Sequence, residues 1–145
     1  MKKQLVVALA LAAAAVVPAA TASSSSPSVR FVTPSAGAVT GSTVTFRVAL
    51  RNFVIDPADV GKRNKAHRGH LHFQLDGGKF DYPKYSGPNG SLAKTLGIAG
   101  TFSPAIAPVI VYKHLPAGPH TLTVFLANND HSAEGANATI HFRVG

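Results

Sequence analysis

Three of the chain's seven histidines fall within six residues, in the stretch HRGHLHFQLDGG that runs from His67 to Gly78. His70 and His72 are two residues apart. In an extended chain such residues share one face and stand about 6.6 Å apart, close enough for their rings to lean together. Two neutral imidazole nitrogens can hold one divalent ion at about 2.0–2.1 Å. A third donor has to come from elsewhere, and His131, in the stretch Asn129-Asp130-His131-Ser132, follows a strand-like segment from which a loop can turn back over a neighbouring sheet. Asp130 stands beside it as a supporting carboxylate. The candidate metal ligands are therefore His70, His72, His131 and Asp130. His67 is nearer in sequence but lies in a basic stretch. His114, His120 and His141 read as solvated or packing residues, because an isolated histidine predicts chemistry poorly.

Composition limits what such a site can hold. The chain has no Cys and a single Met, the initiator. Disulfides, thiolate zinc sites, iron–sulfur clusters and Cys-ligated or thioether-ligated copper are all excluded. Imidazole with an optional carboxylate suits Cu(II) or Zn(II), and the order of divalent affinities favours copper.

Catalytic signatures are missing. There is no Gly-x-Ser-x-Gly elbow, no phosphate-cradling glycine loop and no His-Glu-x-x-His pattern. The six carboxylates, Asp56, Asp59, Asp76, Asp81, Asp130 and Glu134, show no spacing that marks a general acid and base. Asp130, His131 and Ser132 are adjacent in sequence, which does not make a triad. The expectation is a binding domain and not an enzyme. A second reading rests on the run GKRNKAHRG, where Lys62, Arg63, Lys65 and Arg68 lie within seven residues. A solvated loop of that kind can touch an anionic cell-envelope polymer, making the chain a structural or adhesion module that binds no metal.

The elements that must position these residues read as strands. Ser42–Leu50 alternates, with Val44, Phe46, Val48 and Leu50 on one face and Thr43, Thr45, Arg47 and Ala49 on the other. Val29–Val32 forms a short strand before it, and further strands are predicted over 108–114, 121–127 and 137–144. The turn Pro116-Ala117-Gly118 predicts a tight hairpin between the first two of these. In HLHFQLD the same parity places Leu71, Phe73 and Leu75 in the core. It sends His70, His72, Gln74 and Asp76 outward. Asp76-Gly77-Gly78 predicts a hairpin turn with a partner strand over Lys79–Tyr82. The Gly- and Pro-rich segment from Pro83 to Ala107 shows weak periodicity and is read as a functional loop or as hiding a short strand near Gly97–Ser103. About seven short antiparallel strands predict an all-β, immunoglobulin-like two-sheet sandwich.

The N-terminus carries a different signal. Met1-Lys2-Lys3 is a basic head, Leu5–Val17 is an apolar run and Ala20-Thr21-Ala22 is a small-residue site. That order predicts a signal peptide over 1–22 and a secreted or periplasmic product. The run is too short for a membrane span, which needs about 20 apolar residues. Residues 23–28 read as a disordered polar tail and 29–145 as the folded domain. Without Lys2 and Lys3, 12 basic residues face six acidic ones. Export argues against a nucleic-acid partner.

Two stretches taken together, RGHLHFQLDGG and LPAGPHTLTVFLANNDHS, resemble a family of small exported bacterial domains of unknown function. Its members join a Gly-His-containing strand ending in Asp to a Leu-Pro-x-Gly-x-His-Thr-Leu hairpin and a later Asp/Asn-His. The likeness spans most of 29–145 and implies an immunoglobulin-like domain. A fainter likeness is to the CopC-like periplasmic copper-binding sandwiches, through Pro34-Ser35-Ala36-Gly37, the Leu-Pro-x-Gly hairpin and the Asp-His before the last strand. It implies Asp130 and His131 as copper ligands. That family has a histidine at the mature N-terminus where Ser23–Ser28 has none, so His70 and His72 would have to take its place.

Overall fold

The computed structural model describes residues 25–79 and 102–145. The expected leader, the strand expected after Gly78 beyond Lys79, and 97–101 of the strand expected near 97–103 lie outside these residues. The described residues are all-β, with nine strands and two short 3-10 turns. The strands are β1 (Ser28–Thr33), β2 (Val39–Thr40), β3 (Val44–Arg51), β4 (Val54–Ile55), β5 (Arg68–Leu75), β6 (Ser103–Ala105), β7 (Val109–Tyr112), β8 (Gly118–Asn128) and β9 (Ala133–Val144). One sheet has the order β1-β3-β7. The other runs β2-β9-β8-β5-β4, with β6 also paired to β5.

The alternating strands explain the core. In β3, Val44, Phe46 and Val48 are buried while Thr45 and Arg47 are exposed. In β9, Ile140, Phe142 and Val144 are buried and His141 and Arg143 are not. These faces meet between the sheets, where Phe46 lies edge-on to Phe142 of the opposite sheet at 5.0 Å between ring centres. Phe31 and Tyr112 approach Phe46 at 6.1 Å from its own sheet. Full burial of such a side chain contributes roughly 1.5–3 kcal/mol; Phe46, Tyr112 and Phe142 are buried and Phe31 is partly so.

Three expectations change. The strands are not uniformly antiparallel, since β2 runs parallel to β9 and β4 parallel to β5. The Pro116–Gly118 turn does not close a tight hairpin: β7 pairs with β3 in one sheet and β8 with β5 and β9 in the other. The turn carries the chain from one sheet to the other, with Leu115 buried beneath it and its N–H donated to Ser42 O at 3.0 Å. The third change concerns β5. Its burial is continuous from Gly69 to Phe73, histidines included, so neither face of the strand meets water between those residues. A strand inside a sheet covered on both faces loses its polar side, whatever its alternation.

Gly69 permits this. A Cβ there would stand 1.9 Å from the carbonyl oxygen of Ala127 on β8. Only a residue without a side chain lets β5 and β8 close at the point where the next residue is His70. Gly69→Ala should lower the thermal midpoint by at least about 4 °C, the effect of an overpacking cost of 1–3 kcal/mol in a domain of this size. Gly41→Ala, where a Cβ meets nothing within 4 Å, should melt within about 1 °C of wild type. Calorimetry on both variants is the measurement.

Candidate metal centre

Two segments distant in sequence deliver three rings to one point. On β5, His70 stands opposite Ala127 of β8, and His72 stands between Phe125 of β8 and Pro104 of β6. His131 comes from the tight turn that joins β8 to β9. In that turn Asn128 N–H donates to Ser132 O at 2.8 Å and His131 N–H donates to Asn128 O at 3.0 Å. His131 itself adopts φ +68°, a left-handed conformation uncommon for a residue with a side chain.

That conformation is held from both sides. Asp130 Oδ1 accepts from Ser132 N–H at 2.9 Å and from Ser132 Oγ at 2.6 Å. Asn64 Oδ1 accepts Asp130 N–H at 2.9 Å, Gly61 N–H donates to Asn129 O at 2.6 Å, and Asn129 Nδ2 donates to Arg63 O at 3.3 Å. The basic stretch 61–68 is therefore a brace for the His131 turn. Its charge is also partly offset, because Asp59 pairs with Lys62 at 3.3 Å and with Lys65, and Asp56 pairs with Arg68 at 3.0 Å.

The three ligand atoms converge. His70 Nε2 lies 2.9 Å from His72 Nε2, and each lies 3.1 Å from His131 Nδ1. His70 is 1% exposed and His72 4%, against the expectation of a solvent-facing pair. Phe102 provides the cover, stacked on the His72 ring at 5.2 Å and edge-on to Phe125 at 5.5 Å. Phe102 falls within the short strand expected near Gly97–Ser103, but the weak periodicity there gave no sign that it covers the histidines. The bracing asparagines, Asn64 and Asn129, were equally invisible.

Burial decides the charge state. Loss of water holds the His70 pKa down to about 3, with repulsion from His72 and then His131 adding to it. The same desolvation, with His131 second, lowers His72 to about 4. His131 is lowered by burial as well, against an opposing pull from Asp130. All three rings are thus neutral near pH 7, and three neutral rings cannot place a proton in every gap between their converging nitrogens. His70 Nδ1 and His131 Nε2 are buried with no hydrogen-bond partner among the described residues. Each such group costs about 1–3 kcal/mol.

The geometry accommodates an ion. Nitrogens 2.9–3.1 Å apart are close enough for His70, His72 and His131 together to hold one ion at imidazole bond lengths of about 2.0–2.1 Å.

The remaining candidates do not join. Asp130 spends its carboxylate on Ser132 and serves the turn. His67 Nδ1 meets Glu134 Oε1 at 3.2 Å, His141 Nδ1 meets Thr121 Oγ1 at 3.0 Å, and His114 is exposed. His120 is a buried packing residue that stacks on Phe142, bonded to Asp76 Oδ2 at 2.7 Å and Pro116 O at 2.8 Å. Asp76 also takes Thr121 N–H at 2.8 Å, so it ties β5 to β8 and is no metal donor.

No family model matches the chain, and no curated protein matches it in sequence. A solved structure that aligns with it is the X-ray structure of the endo-beta-1,4-mannanase from Thermotoga petrophila. That alignment has 12% identity and a TM-score of 0.43 and covers 83% of this chain. The chain spans 20% of the mannanase's length. A likeness this distant supports no inference about the chain.

The lowered pKa values set a pH dependence. The unfolded chain protonates His70 and His72 near the ordinary 6.5, whereas the folded chain does so only near 3 and 4. As pH falls below about 6.5 the unfolded state therefore binds more protons, and metal-free stability drops. The thermal midpoint of metal-free protein should fall steadily between about pH 7 and 4.5, and more steeply than in His70→Asn/His72→Asn. Parallel melting curves for the two proteins would refute the assignment.

Proposed function

We propose that this chain is an exported β-sandwich domain, immunoglobulin-like in arrangement, that binds a divalent transition-metal ion through His70 Nε2, His72 Nε2 and His131 Nδ1. The observation that carries the reading is the convergence of these three nitrogens within 3.1 Å of one another. They belong to neutral rings brought together from segments about 60 residues apart in sequence. Cu(II) is the first choice and Zn(II) the second, because all three donors are imidazoles and the divalent series peaks at copper. Ligands free of sulfur suit a protein that works outside the cell, where thiols oxidise. Polymer binding through Lys62–Arg68 has less support, since Asp56 and Asp59 already engage three of its four cations.

Titration of chelator-stripped protein should show one tight Cu(II) ion per chain, with weaker Zn(II) at the same place. His70→Asn/His72→Asn should weaken copper binding at least about 100-fold, as expected when two of three ligands are lost. Asp130→Ala keeps every ligand but frees the His131 turn, and should cost about tenfold. Copper affinity that survives the double substitution would overturn the reading.

A further inference from the structure

The three-stranded sheet presents a second feature, independent of the histidines. Its outward face carries Arg30 of β1 and Arg47 and Arg51 of β3, all exposed. The strand register shows how they lie. Arg30 stands directly opposite Ala49, and Ser28 directly opposite Arg51, while Thr33 pairs with Arg47 across a bulge. Arg30 is therefore diagonal to Arg51 on one side and to Arg47 on the other. Diagonal neighbours in an antiparallel pair are about 7–8 Å apart. The three guanidiniums form a zigzag along the seam between β1 and β3, separated by the small residues Ser28 and Ala49.

Between Arg30 and Arg51 the surface is concave. A shallow groove of about 450 Å³ is lined by Ser28, Arg30, Ala49, Leu50 and Arg51. None of the three arginines takes part in an ion pair among the described residues. The described carboxylates, Asp56, Asp59, Asp76, Asp130 and Glu134, lie on or beside strands of the six-stranded sheet or its turns. The fold has separated its charges: the described acids are engaged around the six-stranded sheet, and the arginine face of the other sheet is left uncompensated.

We propose that this face binds a linear phosphodiester polymer, with successive phosphates seated on Arg51, Arg30 and Arg47. A guanidinium offers two parallel N–H donors that fit two oxygens of one phosphate, and it is weakly hydrated, so it gives up little water on contact. Charges set apart by neutral small residues match a chain whose phosphates are set apart by neutral spacers. A membrane surface is the poorer fit. The large apolar side chain exposed on this face is Val32, with Leu50 only lining the groove. There is no outward Trp or Phe among the described residues to enter an acyl layer, as a membrane-docking surface would have. The proposal does not depend on a metal.

The test is binding of poly(glycerol phosphate) to the full domain across a salt series. Three phosphate contacts predict a slope of about −2 in log K against log salt. Arg30→Gln/Arg47→Gln/Arg51→Gln should bind at least tenfold more weakly and lose most of that slope. Lys62→Gln/Arg63→Gln/Lys65→Gln removes the same net charge and should stay within about twofold of wild type. If the sheet variant melts early, Arg30→Gln alone, in the middle of the zigzag, should still weaken binding severalfold. Equal losses in the two triple variants would reduce the effect to net charge and overturn the proposal. So would absence of binding at low salt, or tighter binding to polyglutamate or to phosphatidylglycerol vesicles.

Discussion

The structure turns on gathering three uncharged imidazoles at one point, two of them buried and the third partly so. Neutral histidines tolerate burial where charged ones do not, and here burial itself enforces neutrality by pulling the His70 pKa to about 3 and that of His72 to about 4. Much of the local architecture follows from this. β5 must lie inside its sheet and not at the edge, so β8 closes on one side and β4 and β6 on the other. Gly69 must have no side chain, because the Ala127 carbonyl occupies the place where one would be. Phe102 must cover the ring face that the strands leave open.

The same constraint makes the site poor as pure scaffolding. Two ring nitrogens are buried without partners among the described residues, and a left-handed turn at His131 is held by hydrogen bonds that involve Asp130, Asn128 and the 61–64 stretch. Apolar residues of similar volume would fill the space at lower cost. The contrast with His120 is instructive. That ring is as deeply placed, yet both its nitrogens have partners in Asp76 and Pro116, and it locks β8 to the end of β5. Fully bonded, His120 is structural; the trio leaves His70 Nδ1 and His131 Nε2 without partners among the described residues.

Charge is organised on the scale of the whole domain. Acids gather around the six-stranded sheet, where Asp56 and Asp59 restrain the basic stretch that supports the His131 turn. That placement lowers the repulsion an incoming cation meets from Lys62, Lys65 and Arg68. It also leaves the arginines of the other sheet uncompensated. The two sheets therefore present different chemistries, a neutral nitrogen cluster under an aromatic cover on one and an open cationic seam on the other.

The sequence by itself determined whatever depends on near neighbours. Alternation in β3, in the second half of β9 and on the Leu71-Phe73-Leu75 face of β5 is written in residue type, because a strand's side chains alternate regardless of what surrounds it. The pairing of His70 with His72 on one face was legible for the same reason, and the composition ruled out sulfur ligands. Only the tertiary structure decided what each face meets. Parity assigns His70 and His72 to a common face but cannot show that Phe102 and His131, both remote in sequence, close over it. Nor can it show that Pro116–Gly118 passes between sheets, or that Arg30 falls diagonally between Arg47 and Arg51, since register is set by long-range pairing. Periodicity is a property of a segment; burial and convergence belong to the assembled sheets.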